Sequence, residues 1–174
     1  MNLLFLEKPE DGLTNNLKLI KDKNCFVVAL TLGNITIPEK FIKKEFEYLM
    51  QYIGKDFKEF GIFDFDYNNL DFGRIEHIIQ KYINYYKPEE IFLPYSFINT
   101  KFKIEESIKI YYYNSNFERE EFITDDVVRK SELTLEEIDE KKDLSKIFFS
   151  LRNKLPELLE NEFFESEKYR VNLK

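Results

Sequence analysis

The sequence predicts an α/β fold, a three-layer sandwich built on a mostly parallel central sheet. Three observations point there. Short apolar runs of strand length, Leu3–Leu6, Cys25–Thr31, Phe60–Phe65 and Ile91–Leu93, alternate with amphipathic helical stretches through short links. That is the pattern of βαβ units with right-handed crossovers. The second run is apolar without alternation, as expected of a strand covered on both faces. With 174 residues the chain fits one domain, 1–174, large enough to bury a core.

The first strand runs straight into an acidic turn, Glu7-Lys8-Pro9-Glu10-Asp11-Gly12. Polar groups that end a first strand lie at the carboxyl edge of the sheet, where such folds keep their sites. Leu13, Leu17 and Ile20 then recur at helical spacing, and Asp22-Lys23-Asn24 ends that helix, read over Thr14–Lys23. After the strand Cys25–Thr31, Pro38 opens a second helix, where its missing N–H is harmless. Phe41, Ile42, Phe46, Leu49, Met50 and Ile53 form its apolar stripe, and Gly54 supplies the stop. Phe60–Phe65 is the third strand and Asn68–Gly73 the turn after it. Ile75, Ile78, Ile79, Tyr82, Ile83 and Tyr86 mark the third helix, which ends before Pro88.

The spacing changes after Pro94, which stops the fourth strand. About a dozen residues lead to the next β run, Ile108–Tyr113, close to the minimum for a helical crossover. Tyr95–Glu106 therefore has room for at most a short helical turn. The sheet is expected to be shortened there, with a fifth strand set differently from the first four. Phe122–Val128 reads as a short sixth strand. A long C-terminal helix is expected from Thr134, where Thr134 and Glu137 have capping-box spacing. Ile138, Leu144, Ile147, Phe148, Leu151, Leu155, Leu158 and Leu159 line its face, with Pro156 near a bend or its end. Asn161–Lys174 is charged and weakly periodic.

Composition excludes several partners. The chain carries 33 acidic and 26 basic residues, net −7, interspersed rather than blocked. Nucleic-acid binding needs a concentrated positive face, so nucleic acid is not an expected partner. No run approaches the ~18–20 apolar residues of a membrane helix, and the N-terminus lacks a basic signal region. The single Cys25 cannot close an internal disulfide and sits beside an apolar run, so it reads as core and a cytoplasmic location follows. His77, the one histidine, falls mid-helix and reads as an ordinary surface or boundary residue. Tyr111-Tyr112-Tyr113 with Asn114 has two readings, stacking platforms for sugar rings or alternating core and boundary aromatics. Asp125-Asp126 and Glu136–Asp143 read as helix-start and solvated charges. No nucleophilic triad, phosphate-binding Gly-rich loop or Cys/His metal spacing occurs.

Taken in order, these segments resemble the PIG-L/LmbE-like N-acetylglucosaminyl deacetylases over most of the chain. Leu3–Gly12 is similar to that family's strand leading into His-Pro-Asp-Asp, and Val27–Gly33 to its second strand, which ends in Thr-x-Gly. Glu45 and Gly54 match an Arg-x-x-Glu helix closed by Leu-Gly. Phe63-Asp64-Phe65 with Asn68-Asn69-Leu70 resembles its third strand and acidic loop, and Tyr86–Ile91 its Pro-x-x-Val approach to the fourth strand. Lys141, Leu144, Phe148 and Ser150 fall at the spacing of its late Lys-x-x-Ala-Leu…Tyr-x-Ser-Gln helix.

The resemblance implies a Rossmann-like sheet with its site at the first turn. Family members bind zinc through the histidine and second aspartate of that motif and a histidine from an H-x-x-H pair after the fourth strand; the first aspartate is the general base. Carried over, Lys8 replaces the histidine, Glu10 takes the base position and Asp11 keeps the carboxylate ligand. Pro94–Thr100 contains no histidine, Ile42 holds the arginine position of the second helix, and Tyr67 stands at an aspartate of the acidic loop.

An ammonium offers no lone pair, and a catalytic zinc site needs about three protein ligands. Carboxylates alone would not bring a bound water towards a pKa of ~7. Lys8, Glu10 and Asp11 are therefore expected to form a vestigial site, with Lys8 pairing to Asp11, no metal or other cofactor, and Asp11 the one retained ligand. The expected function is a catalytically degenerate deacetylase-like domain with a binding or assembly role linked to cell-surface carbohydrate. Two alternatives stand beside it: a divergent amidohydrolase deacetylating an N-acyl amino sugar with Glu10 as general base, and a non-catalytic binder of a sugar or nucleotide-sugar. A missing helix would bare a strand edge, so a homo-oligomer, a homodimer above all, or a protein partner is expected.

Overall fold

A computed structural model describes residues 1–33, 37–66, 69–115, 127–146, 148 and 166–171. The elements, in chain order, are β1 (Asn2–Leu6), α1 (Asp11–Thr14), α2 (Leu17–Lys21), β2 (Cys25–Thr31), α3 (Glu39–Tyr52), β3 (Phe60–Phe65), α4 (Phe72–Tyr86), β4 (Glu90–Pro94), β5 (Lys109–Tyr113), β6 (Val127–Glu132), α5 (Leu135–Ser145) and β7 (Ser166–Val171). The strands form one seven-stranded sheet in the order β3-β2-β1-β4-β5-β7-β6. The first five are parallel, and β7 joins β5 and β6 antiparallel. This is the expected α/β architecture, Rossmann-like in strand order, with the switch point between β1 and β4.

Alternate residues of β1 feed two cores. Leu4 and Leu6 pack with Leu13, Leu17, Phe46 and Leu144 on the side of α1, α2, α3 and α5. Leu3 and Phe5 pack with Ile75, Ile79, Ile83 and Phe97 on the side of α4. Both faces of β1 are covered, which is why its sequence shows no polar alternation. Cys25 is core, and His77 is exposed.

Four expectations change. The helix read over Thr14–Lys23 is two short ones, α1 and α2, broken at Asn15 and Asn16. The Asn16 amide donates to the Asp11 carbonyl at 2.9 Å; a short polar side chain competing with the backbone is a standard way to interrupt a helix. On α3, Phe41 is 52% exposed rather than part of the buried stripe.

The fifth strand is not set apart. It pairs parallel with β4 from Glu90↔Lys109 to Pro94↔Tyr113. The crossover between them holds one 3-10 turn, Tyr95–Phe97, and no α-helix. It is pinned instead. The Gln80 side chain brackets Lys103 through its N–H and C=O, both at 2.8 Å, and Thr100 donates to Glu76 at 2.9 Å. Phe97, Phe102, Ile104 and Ile108 cover the sheet from this strap. Because β5 is flanked by β4 and β7, the helix-free crossover bares no strand edge there; among the described residues the outermost strands of the sheet are β3 and β6.

The last correction lies at the C-terminus, where the charged stretch after Asn161 supplies β7. β6 begins at Val127; Phe122–Asp126 lie outside the described residues, as do Tyr67 and Asn68 of the acidic loop. α5 starts on the expected capping box, Thr134 accepting from Glu137 N–H at 3.2 Å while Glu137 accepts from Thr134 N–H at 2.7 Å. Thr134→Ala should cost about 1 kcal/mol, read as a lower urea midpoint at unchanged m-value. The described helix ends at Ser145, while Ile147 and 149–165, with the expected apolar positions Leu151 to Leu159, lie outside the described residues. Among the described residues no helix is long and apolar enough to cross a membrane.

Candidate functional site

The turn after β1 lies at the carboxyl edge, beside the switch point. The neighbouring strands close around it. From the end of β2, Thr31 sends both its N–H (3.1 Å) and its hydroxyl (2.6 Å) to the Glu7 carbonyl. Ser96, just past β4, reaches the Glu7 carboxylate at a long 3.5 Å. From β5, the Tyr113 hydroxyl accepts the Glu7 N–H at 3.1 Å and stands 3.0 Å from the Phe5 carbonyl and 3.4 Å from Asp11 Oδ2. The same Asp11 oxygen accepts the Lys8 N–H at 3.2 Å. Gly33, at φ +77°, lies against the turn, where a Cβ would sit 3.6 Å from both Glu10 Oε2 and Lys8 Cβ.

The carboxyl groups here are sealed rather than presented. Asp11 is 0% exposed, Glu7 7% and Glu10 9%. Asp11 Oδ1 is buried and finds no hydrogen-bond partner among the described residues. Burial drives the Asp11 carboxyl well above the usual carboxylate range; the Lys8 charge and backbone N–H pull the other way without winning. The Lys8 ammonium lies 3.8 Å from Glu10 Oε1, a loose ion pair that is nearly enclosed. Burial also raises the Tyr113 hydroxyl, and the nearby Asp11 adds to the effect.

The first turn thus brings together the three residues singled out from sequence, Lys8, Glu10 and Asp11, and adds Glu7, Thr31, Ser96 and Tyr113. Tyr113 was visible only as one of three tyrosines. All three are buried in the sheet, which removes them as exposed stacking platforms. Ser96 carried no signal at all, since a lone serine after a strand is unremarkable in sequence.

The set does not fit a zinc ion. Its donors are buried carboxylates, one of them held well above the usual carboxylate range, beside the Lys8 ammonium, which offers no lone pair. Among the described residues, no group of three or more His, Cys, Asp or Glu side chains is placed to hold a metal. Three ligands are what such a centre requires.

No family model matches the sequence, and no curated protein matches it. Among solved structures the chain is similar to the conserved protein TT1542 from Thermus thermophilus. The TM-score is 0.67 at 15% identity, over 99% of this chain and 94% of that one. The match shows a shared fold.

A second buried polar cluster adjoins the turn. Asn16, whose amide holds the Asp11 carbonyl, presents its Oδ1 to the Tyr169 hydroxyl of β7 at 3.2 Å. That hydroxyl also lies 3.3 Å from the Asn15 carbonyl and 3.3 Å from Glu167 Oε2. Glu167 Oε1 accepts the Lys18 N–H at 3.1 Å, and the charge of Lys141, on α5, acts on the same carboxylate. Glu167 is 1% exposed and Lys141 0%. Burial pushes Glu167 up to about 7 and Lys141 down to about 8, each pulled partway back by the other. Of these, only Lys141 was marked in the sequence.

Proposed function

We propose that this chain is a catalytically degenerate PIG-L/LmbE-like deacetylase domain with a binding or assembly role, linked to carbohydrate at the cell surface. The observation that carries the reading is the state of Asp11. The carboxylate that the resemblance gives as a metal ligand is fully buried. One oxygen is engaged by Lys8 N–H and lies near Tyr113, and its charge is disfavoured by burial. A metal ligand needs the opposite: an ionised, reachable oxygen. Glu10, the residue that the resemblance puts at the base position, is nearly enclosed beside the Lys8 ammonium.

An assembly role has a surface available to it. Phe41, Tyr48 and Tyr52 stand more than half exposed along one line of α3, with Phe57 just beyond the helix. α3 lies on the sheet beside β3, an outermost strand among the described residues. Aromatic side chains held in water are the residues that protein interfaces favour.

The test is elemental analysis of the purified protein with a deacetylation assay on simple N-acetylated sugars, with and without added divalent metals. The expected result is substoichiometric metal and turnover no faster than buffer. Stoichiometric zinc, or turnover that Glu10→Gln abolishes, overturns the reading in favour of the amidohydrolase.

A further inference from the structure

We infer that the seating of β7 governs the conformation of the Asp11 turn, so that the C-terminal strand regulates the vestigial site from the far end of the chain. This rests on reading that turn as the site. The link is a set of buried polar contacts: the Asn16 amide donates to the Asp11 carbonyl at 2.9 Å, and the Tyr169 hydroxyl, whose single proton serves one acceptor at a time, lies 3.2 Å from Asn16 Oδ1, 3.3 Å from the Asn15 carbonyl and 3.3 Å from Glu167 Oε2. Glu167 in turn accepts a backbone N–H from Lys18 at the start of α2. β7 therefore grips both sides of the break between α1 and α2.

Leu13 and Leu17 seat the two flanking helices in the core, and β7 supplies the polar contacts at the break between them. α1 spans Asp11–Thr14 and α2 spans Leu17–Lys21, each too short to stand alone. Neither Glu10 nor Asn16 makes a side-chain cap. Tyr169 is 1% exposed and Asn16 is 0% exposed, so water cannot replace a lost bond there. The turn is also tied through Tyr113, which is on β5, the strand that β7 pairs with at Tyr111↔Val171 and Tyr112↔Arg170. Lifting β7 removes the first grip and bares the strand carrying the second.

Amide hydrogen exchange of the full chain tests this. Tyr169→Phe should accelerate exchange at Leu13, Thr14 and Asn15 about tenfold, while Val28 and Ala29 in β2 stay within about twofold of the parent, on the order expected for one buried hydrogen bond. Asn16→Ala, which removes these contacts at their other end, should give the same regional pattern. In the unmodified protein, the turn amides and those of β7 should open together with a common urea dependence. A uniform acceleration across the sheet, an unchanged turn, or separate urea dependences for the turn and β7 overturns the inference. None of these readouts depends on metal content or turnover, so this inference and the proposed function can fail separately.

Discussion

Replacing Lys141 with methionine should cost about 1–3 kcal/mol of stability at neutral pH, less than the full loss of a buried ion-pair partner, because Glu167, already raised by burial, takes up a proton when its cation is gone. Glu167 is 1% exposed and keeps its backbone N–H donors from α2, so it can neither move to water nor be deleted cheaply. The double variant Lys141→Met with Glu167→Gln removes both charges and keeps an acceptor for the α2 N–H groups. It should return to the parent stability or exceed it, since a buried ion pair repays its desolvation poorly.

The pH dependence has a definite sign. Glu167 is raised from 4.5 to about 7 in the fold, so its contribution falls as pH rises across that interval. Lys141 is lowered from 10.5 to about 8, so its contribution recovers as pH rises from 8 to 10.5. The pair is least favourable between the two, near pH 7–8, and there the double variant gains most over the parent. Urea midpoints at several pH values read this directly. A single variant as stable as the parent, or a double variant no better than the single, would sink the account.

The second large effect belongs to Asp11. Its folded carboxyl lies well above the ordinary 3.8, chiefly through burial. Such a group favours the fold below its unfolded pKa, and that contribution is lost as pH rises towards the folded value. Asp11→Asn keeps an oxygen for the Lys8 N–H and cannot ionise. The melting temperature of the variant minus that of the parent should therefore climb with pH, and at neutral pH the variant should be at least as stable. Added zinc should leave the difference unchanged. The outcome that counts against us is a gap that narrows with pH, the behaviour of a carboxylate stabilised as an anion by Lys8 or by a metal. The same experiment thus weighs desolvation against ion pairing at this turn.

Much of the fold was legible because its signals are local. β2 and β3 were delimited by apolar runs bounded by polar turns, α3 by Pro38 and Gly54, and α5 by the Thr134–Glu137 spacing. The clearest misreading, β7, has its deciding interaction far away in the chain. β7 is a strand because β5 and β6 offer it backbone partners, although Ser166–Val171 is too charged to announce one. The Asn15–Asn16 break is made locally, by the Asn16 amide on the Asp11 carbonyl, while the other end of that side chain meets Tyr169, 153 residues on. At the site, the Lys8–Glu10–Asp11 turn could be read from its order alone. That Asp11 is sealed could not, because the groups that close over it come from the ends of β2 and β5.

The strap between β4 and β5 has a bearing on how this architecture tolerates loss. A parallel crossover must first of all span a distance, and the entropy of closing a loop changes by only about 0.6 kcal/mol for each doubling of its length. A helix there is thus dispensable, provided something apolar shields the strands and something polar moors the chain. Here a few aromatic and aliphatic side chains do the shielding, and one glutamine side chain, gripping a single residue's backbone from both ends, does the mooring. A parallel sheet of this type can therefore keep its register across a crossover that carries no helix.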